Sequence, residues 1–134
     1  MQVEGFNHVT VNVSNLANSL NFYTGILGLQ LVHRGKTDAY LEWGSAWICL
    51  LEKPDYMAIA NNVVGVDHIA FSIAEEHFEE AVQGLQTQNV PIIRGPIKRG
   101  IGWTVNFLDP DGIQLELHTS NLRERMSVWN TATE

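Results

Sequence analysis

Apolar and polar residues alternate strictly over residues 8–13, within a strand expected at 6–13. Val9, Val11 and Val13 fall on one side, and His8, Thr10 and Asn12 on the other. That period of two is what a half-buried strand produces. The period then lengthens. Leu16, Leu20, Tyr23 and Leu27 recur at helical spacing behind Ser14, which can cap a helix, and Gly28 ends the run. Three further strands follow at 29–34, 37–43 and 46–51, the last two joined through Gly44-Ser45 as a hairpin. The order is β-α-β-β-β.

Residues 54–64 read as a linker, and then the pattern restarts. Gly5-Phe-Asn-His8 is echoed by Gly65-Val-Asp-His68, and Leu31-Val-His-Arg34 by Pro91-Ile-Ile-Arg94, both at an offset of 60 residues. An offset kept across a strand, a helix and another strand predicts a duplicated module. The second copy has a strand at 66–73, a helix at 75–88 that buries Phe78, Val82 and Leu85, and strands at 90–94, 103–108 and 113–118. Asp109-Pro-Asp-Gly112 is the turn between the last two strands, with Pro presetting one backbone angle and Gly tolerating a positive one. Asn121 can cap a short terminal helix through about Trp129.

The expected class is α+β, with two βαβββ modules in tandem forming cupped mixed sheets. One domain would cover 1–134: module one 1–53, the linker 54–64, module two 65–120 and a C-terminal helix 121–129. Each sheet would carry its helix on one face and leave a polar concave face open.

Composition narrows the partners. A chain of 134 residues with 45% hydrophobic and 17% charged content fits one soluble globular domain. No apolar run is long enough to span a membrane, and the N-terminus lacks the basic start and apolar core of a signal peptide. Cys49 is the only cysteine, so an internal disulfide is impossible and a reducing cytoplasm is expected. A net charge of -7 argues against nucleic acid as the main partner. It does not argue against a small anionic substrate, because a metal and a few local cations outweigh the global field.

Strand parity points to the chemistry. In the second copy Ile69, Phe71 and Ile73 are apolar, and His68, Ala70 and Ser72 face the other way. Thr104, Asn106, Gln114 and Glu116 fall on the polar side of their strands. A carboxylate in mid-strand, on a sheet's polar face, needs a partner or water. His8, His68 and Glu116 together would be two neutral imidazoles and one carboxylate, a set that suits Mn2+, Fe2+, Zn2+ or Ni2+ with positions left open for substrate. His118 shares Glu116's face and reads as a supporting or interface residue in preference to a further ligand, while His33 and His77 read as surface residues and Cys49 as a packed one.

The sequence resembles the vicinal oxygen chelate superfamily (glyoxalase, bleomycin resistance, dioxygenase). Within it the chain is similar to the fosfomycin-resistance thiol transferases over nearly its whole length. The residues that carry this are Asn7-His-Val-Thr10, Ala39-Tyr-Leu-Glu-Trp-Gly-Ser-Ala-Trp-Ile-Cys-Leu50, His68-Ile-Ala-Phe71, Phe107-Leu-Asp-Pro-Asp-Gly112, Leu115-Glu-Leu-His118 and Leu122-Arg-Glu-Arg125. The resemblance implies a homodimer with exchanged modules and a metal, usually manganese, held by His8, His68 and Glu116. It implies a phosphonate epoxide as substrate and a thiol such as glutathione as nucleophile. Thr10 matches a hydroxyl assisting at the epoxide oxygen. Tyr40 and Trp47 match walls of the substrate pocket, and Arg125 a phosphonate-binding arginine.

Departures are visible too. Gly100-Ile-Gly-Trp-Thr104 has no carboxylate, which counts against the K+ site the resemblance would otherwise imply. The family's lysine aligns near Pro96, leaving Lys98 or Arg99 to substitute, while a family tyrosine is Asn106 and a pocket tryptophan is Gly35. Alternatives within reach are an epoxide hydrolase using Asp38, a glyoxalase-type isomerase or other lyase with Glu52 as a further ligand, an iron dioxygenase, and a metal-free drug-binding protein.

Overall fold

The computed structural model describes residues 1–133, with side chains as far as Val128. Contacts divide it into two compact units, Met1–Ala58 and a second that begins at Ile59.

In the first unit, β1 (His8–Val13) leads into α1 (Leu16–Leu20), and then come β2 (Gln30–Arg34), β3 (Asp38–Trp43) and β4 (Ala46–Glu52). The sheet order is β1-β4-β3-β2, with β1 parallel to β4 and the other pairs antiparallel. Val11 and Val13 are buried, together with Leu41, Ile48 and Leu50 and with Leu16, Leu20, Phe22 and Tyr23 from the helical stretch. The apolar parity of the strands thus marks the helix side.

The helix departs from expectation in two ways. Asn15, not Ser14, is its cap: the backbone there is extended (φ -143°) and Oδ1 accepts the Asn18 N–H at 2.9 Å. The helix also widens after Leu20 into a π-helical turn, Asn21–Ile26, where Leu27 N–H reaches Phe22 O at 3.0 Å. Thr24 contributes by donating its hydroxyl to Leu20 O at 2.6 Å, competing with the regular ladder.

The second unit repeats the plan with β5 (Ile69–Ser72), α2 (Glu75–Thr87), β6 (Ile92–Arg99), β7 (Gly102–Leu108), β8 (Gln114–His118) and α3 (Leu122–Thr133). Its order is β5-β8-β7-β6, with β5 parallel to β8. Phe78, Val82 and Leu85 of α2 are buried, as are Val105, Phe107, Leu115 and Leu117 of the sheet.

Three boundaries move by three residues or more. β5 starts at Ile69, so His68 stands just ahead of its strand. β6 runs to Arg99 instead of ending at Arg94, because irregularities at 92–94 and 94–97 let it bend and go on pairing with β7. Gly95 sits in that bend at φ +82°, and a Cβ there would lie 2.6 Å from Thr104 O, so no other residue fits. Helix α3 runs past residue 129 to Thr133, and Asn121 caps it reciprocally: Oδ1 accepts the Glu124 N–H at 2.9 Å, and Nδ2 donates to Glu124 Oε1 at 2.8 Å. No helix among the described residues is long and apolar enough to cross a membrane.

Candidate metal centre

On the open face of the second sheet, Glu116 stands in register with Ala70 of β5 and Asn106 of β7. The small side chain of Ala70 leaves space beside the carboxylate. Glu116 is held mid-strand because the Asp109–Gly112 turn sets the register of β8. Asp109 Oδ1 accepts the N–H groups of Asp111 at 2.9 Å and Ile113 at 2.8 Å, and Gly112 adopts φ +83°. His68 reaches the same place, with Nε2 3.7 Å from Glu116 Oε1. The two atoms are close enough together that both would reach a common divalent cation.

The imidazole is oriented for this. His68 Nδ1 lies 2.7 Å from Asp67 Oδ2, an atom that can only accept. In the neutral ring Nδ1 is then the protonated nitrogen, and Nε2 keeps its lone pair. In the first unit His8 is held in the same way, with Nδ1 2.7 Å from Asn7 Oδ1. Its ring stacks on Trp47 at 4.4 Å, and Trp47 meets Tyr40 edge-on at 5.9 Å. The donor chemistry of both histidines fits a divalent cation. Among the described residues no cluster of three or more His, Cys, Asp or Glu side chains is gathered, so each unit alone offers a partial ligand set.

Thr10 is exposed on the open face of β1, in register with Cys49, which is buried. Tyr40 and Trp47 are 40% and 38% exposed, so these rings are surface walls and not core. Arg125 lies against the turn between β6 and β7, where a Cβ on Gly100 would be 3.5 Å from its guanidinium. It also lines a hollow of about 270 Å³ with Ala70, Ser72, His118, Ser120 and Leu122. His118 Nδ1 accepts the Ser120 N–H at 3.1 Å, leaving the Nε2 proton to donate.

The two candidate cations of β6 separate. Arg99 is in register with Gly102, on the parity of Thr104 and Asn106, whereas Lys98 is opposite Trp103, whose ring meets Phe78 of α2. Lys98 thus falls on the helix side. Asn106 and Thr104 are both 2% exposed, and Asn106 Oδ1 has no partner.

Two alternative carboxylates are already engaged. Glu52 Oε2 accepts the Leu16 N–H at 2.8 Å at the start of α1, and Asp38 Oδ1 is 3.8 Å from His33 Nε2.

Sequence reasoning passed over three residues. Asn7 and Asp67 orient the histidines, and the repeated Asn/Asp-His step at the offset of 60 was the available signal. Arg94 stands opposite Asn106 in register, and its place in the Ile-Ile-Arg echo could have marked it.

A duplicated βαβββ scaffold with a histidine at the equivalent position of each module defines a class of paired-module proteins. The chain belongs to the Glyoxalase/Bleomycin resistance protein/Dioxygenase superfamily, whose family model matches residues 5–117. It is 38% identical over 132 residues to a metallothiol transferase FosB of Staphylococcus epidermidis (strain ATCC 12228), covering 96% of this chain and 91% of that protein. It is 37% identical over 126 residues to the glutathione transferase FosA of Serratia marcescens, covering 94% and 88%. The crystal structure of FosX, a genomically encoded fosfomycin resistance protein from Listeria monocytogenes, superposes with a TM-score of 0.76 at 26% identity, covering 92% and 99%.

Proposed function

We propose that this chain is a metal-dependent transferase that opens the epoxide of fosfomycin, or of a related phosphonate, by adding a glutathione-type thiol. The carrying observation is the pairing of His68 Nε2 with Glu116 Oε1 at 3.7 Å, with a second histidine freed at Nε2 in the equivalent position of the other module. The names of the 38% and 37% identical relatives supply the reaction class.

His8, His68 and Glu116 would hold the divalent ion, Mn2+ first among Mn2+, Fe2+, Zn2+ and Ni2+, which supplies Lewis acidity at the epoxide oxygen. The chain's own groups do the rest. Arg125, with Arg99 and the His118 Nε2 proton, offers the donors that bind a phosphonate. Thr10 donates a hydrogen bond to the epoxide oxygen as charge grows there. Tyr40 and Trp47 wall the pocket and keep water from the reacting carbon. The thiolate sulfur forms a bond to an epoxide carbon, the C–O bond breaks, and the released oxygen takes a proton to become a hydroxyl.

Asn106 completes the pocket, and Lys98, on the far face, is a weaker candidate than Arg99. No carboxylate stands between Gly100 and Thr104, so K+ activation is not part of this reading. The proposed assembly is a homodimer with exchanged modules, each chain acting as a single domain. A lone, buried Cys49 suits the cytoplasm.

Titration calorimetry of fosfomycin into Mn2+-loaded protein, repeated with Glu116→Ala, tests the reading. The substitution is expected to abolish metal-dependent binding, and unchanged metal affinity would refute the role given to Glu116. Product analysis with and without thiol separates transfer from hydrolysis.

A further inference from the structure

The two histidines at equivalent positions are held by different partners. His68 Nδ1 meets a carboxylate, Asp67 Oδ2, and His8 Nδ1 meets a carboxamide, Asn7 Oδ1, each at 2.7 Å. A carboxylate is an acceptor at both oxygens, whichever way it turns. A carboxamide is an acceptor on one side and a donor on the other, so half a turn of Asn7 would withdraw its support from the imidazole. Asp67 also adds negative charge behind the ring, which strengthens its lone pair toward a cation. That charge is screened, because the Asp67 side chain is 85% exposed. The hydrogen bond, more than the charge, is what Asp67 contributes.

The surroundings differ in the same sense. His68 already faces a carboxylate of its own unit, with Glu116 Oε1 at 3.7 Å and Ala70 leaving room beside it. His8 faces an aromatic ring, Trp47. In register with it and its neighbour Thr10 stand Trp47 and Cys49, and neither carries a carboxylate.

We propose that the second module is the anchoring half-site. His68, oriented by Asp67, and Glu116 hold the divalent ion first, and His8 closes the ligand set afterwards. Asp67 is a positioning residue that acts through His68. This rests on the metal-dependent reading above, and it adds an order of assembly and a residue to it.

The test measures Mn2+ affinity of the metal-free full chain by calorimetry, with the bound ion checked by electron paramagnetic resonance. Asp67→Ala is expected to weaken binding about 10- to 100-fold. Asp67→Asn, which keeps one acceptor, should lose roughly 3- to 10-fold, and Asn7→Ala less than Asp67→Ala. His8→Ala should still bind one ion weakly, whereas His68→Ala should bind none. Asp67 lies on the surface, so the melting temperature of the metal-free variants should stay within about 2 °C of the parent. A loss of affinity without a loss of stability separates positioning from a structural role.

Equal affinity of Asp67→Ala and the parent would overturn the inference, as would equal losses in His8→Ala and His68→Ala. Either result would leave the transferase reading standing if the parent still binds Mn2+ and opens the epoxide. A parent that binds no divalent ion would overturn both.

Discussion

Asn106 is a polar side chain in an apolar residue's circumstances. It is 2% exposed, and its Oδ1 has no partner. A buried acceptor left unsatisfied costs about 1–3 kcal/mol, and a fold tolerates such a penalty where a ligand relieves it. Its register opposite Glu116 puts it beside the proposed ion and substrate. Asn106→Leu keeps the volume and removes the unmet group. We expect its melting temperature to equal or exceed the parent's, by up to a few degrees. The same variant should bind fosfomycin at least about 10-fold more weakly. A drop of several degrees in differential scanning calorimetry would show that Asn106 supports the fold and not the ligand. Glu52 is the opposite case. It was a candidate ligand for isomerase chemistry, but its carboxylate accepts a helix N-terminal N–H, a structural use that sequence parity could only hint at.

At the scale of elements, the Asp109–Gly112 turn decides where Glu116 stands. Its Asp109 side chain is 4% exposed and accepts two backbone N–H groups, while the Asp109 and Gly112 N–H groups close the loop onto Ile113 O and Asp109 O. Asp109→Ala strands both donors, so we expect a loss of about 2–3 kcal/mol in urea denaturation. Mn2+ affinity should fall with it, because a slip of one residue in β8 would turn Glu116 to the other face. Unaltered Mn2+ affinity in a destabilised variant would show that the turn does not set the site. Such strand parities were legible in the sequence because side chains alternate with a period of two. Every ligand candidate could therefore be assigned a face before its strand's ends were known. The helix start was less legible, since Ser14 and Asn15 are both good caps and only the chain's path chooses between them. The π-helical turn was not legible, because it depends on which carbonyl each N–H reaches. The run of β6 through Gly95 to Arg99 was hidden as well, since Gly-Pro reads locally as a strand's end. That error kept Lys98 and Arg99 in a loop, where their opposite faces could not be told apart.

For the molecule as a whole, the proposed exchange of modules makes the sharpest demand. Met57, Ile59, Val63, Val64 and Val66 are all more than half exposed, apolar side chains clustered in sequence around the end of the first unit and the start of the second. Such a run is a poor surface for a monomer, and the proposed partner chain would cover it. The exchange also has a consequence for ligand ownership. If each site takes His8 from one chain and His68 and Glu116 from the other, His8→Ala and Glu116→Ala damage different contributions to the same site. Either variant alone has no complete site. In a mixed dimer, one site collects both damaged residues and the other collects none. Co-expression of the two variants in equal amounts gives half the dimers mixed, so about a quarter of all sites should be intact. We expect roughly that fraction of parental thiol-transfer activity from the co-expressed pair, and far less from either variant by itself. If all three ligands came from one chain, mixing could restore nothing, because every chain would carry one lesion. Light scattering of the parent should report a dimer in the same experiment. A monomer, or a dimer pair with no recovery, would place the ligands in a single chain and end the exchanged arrangement, while the ligand assignments themselves would still rest on the single-variant affinities.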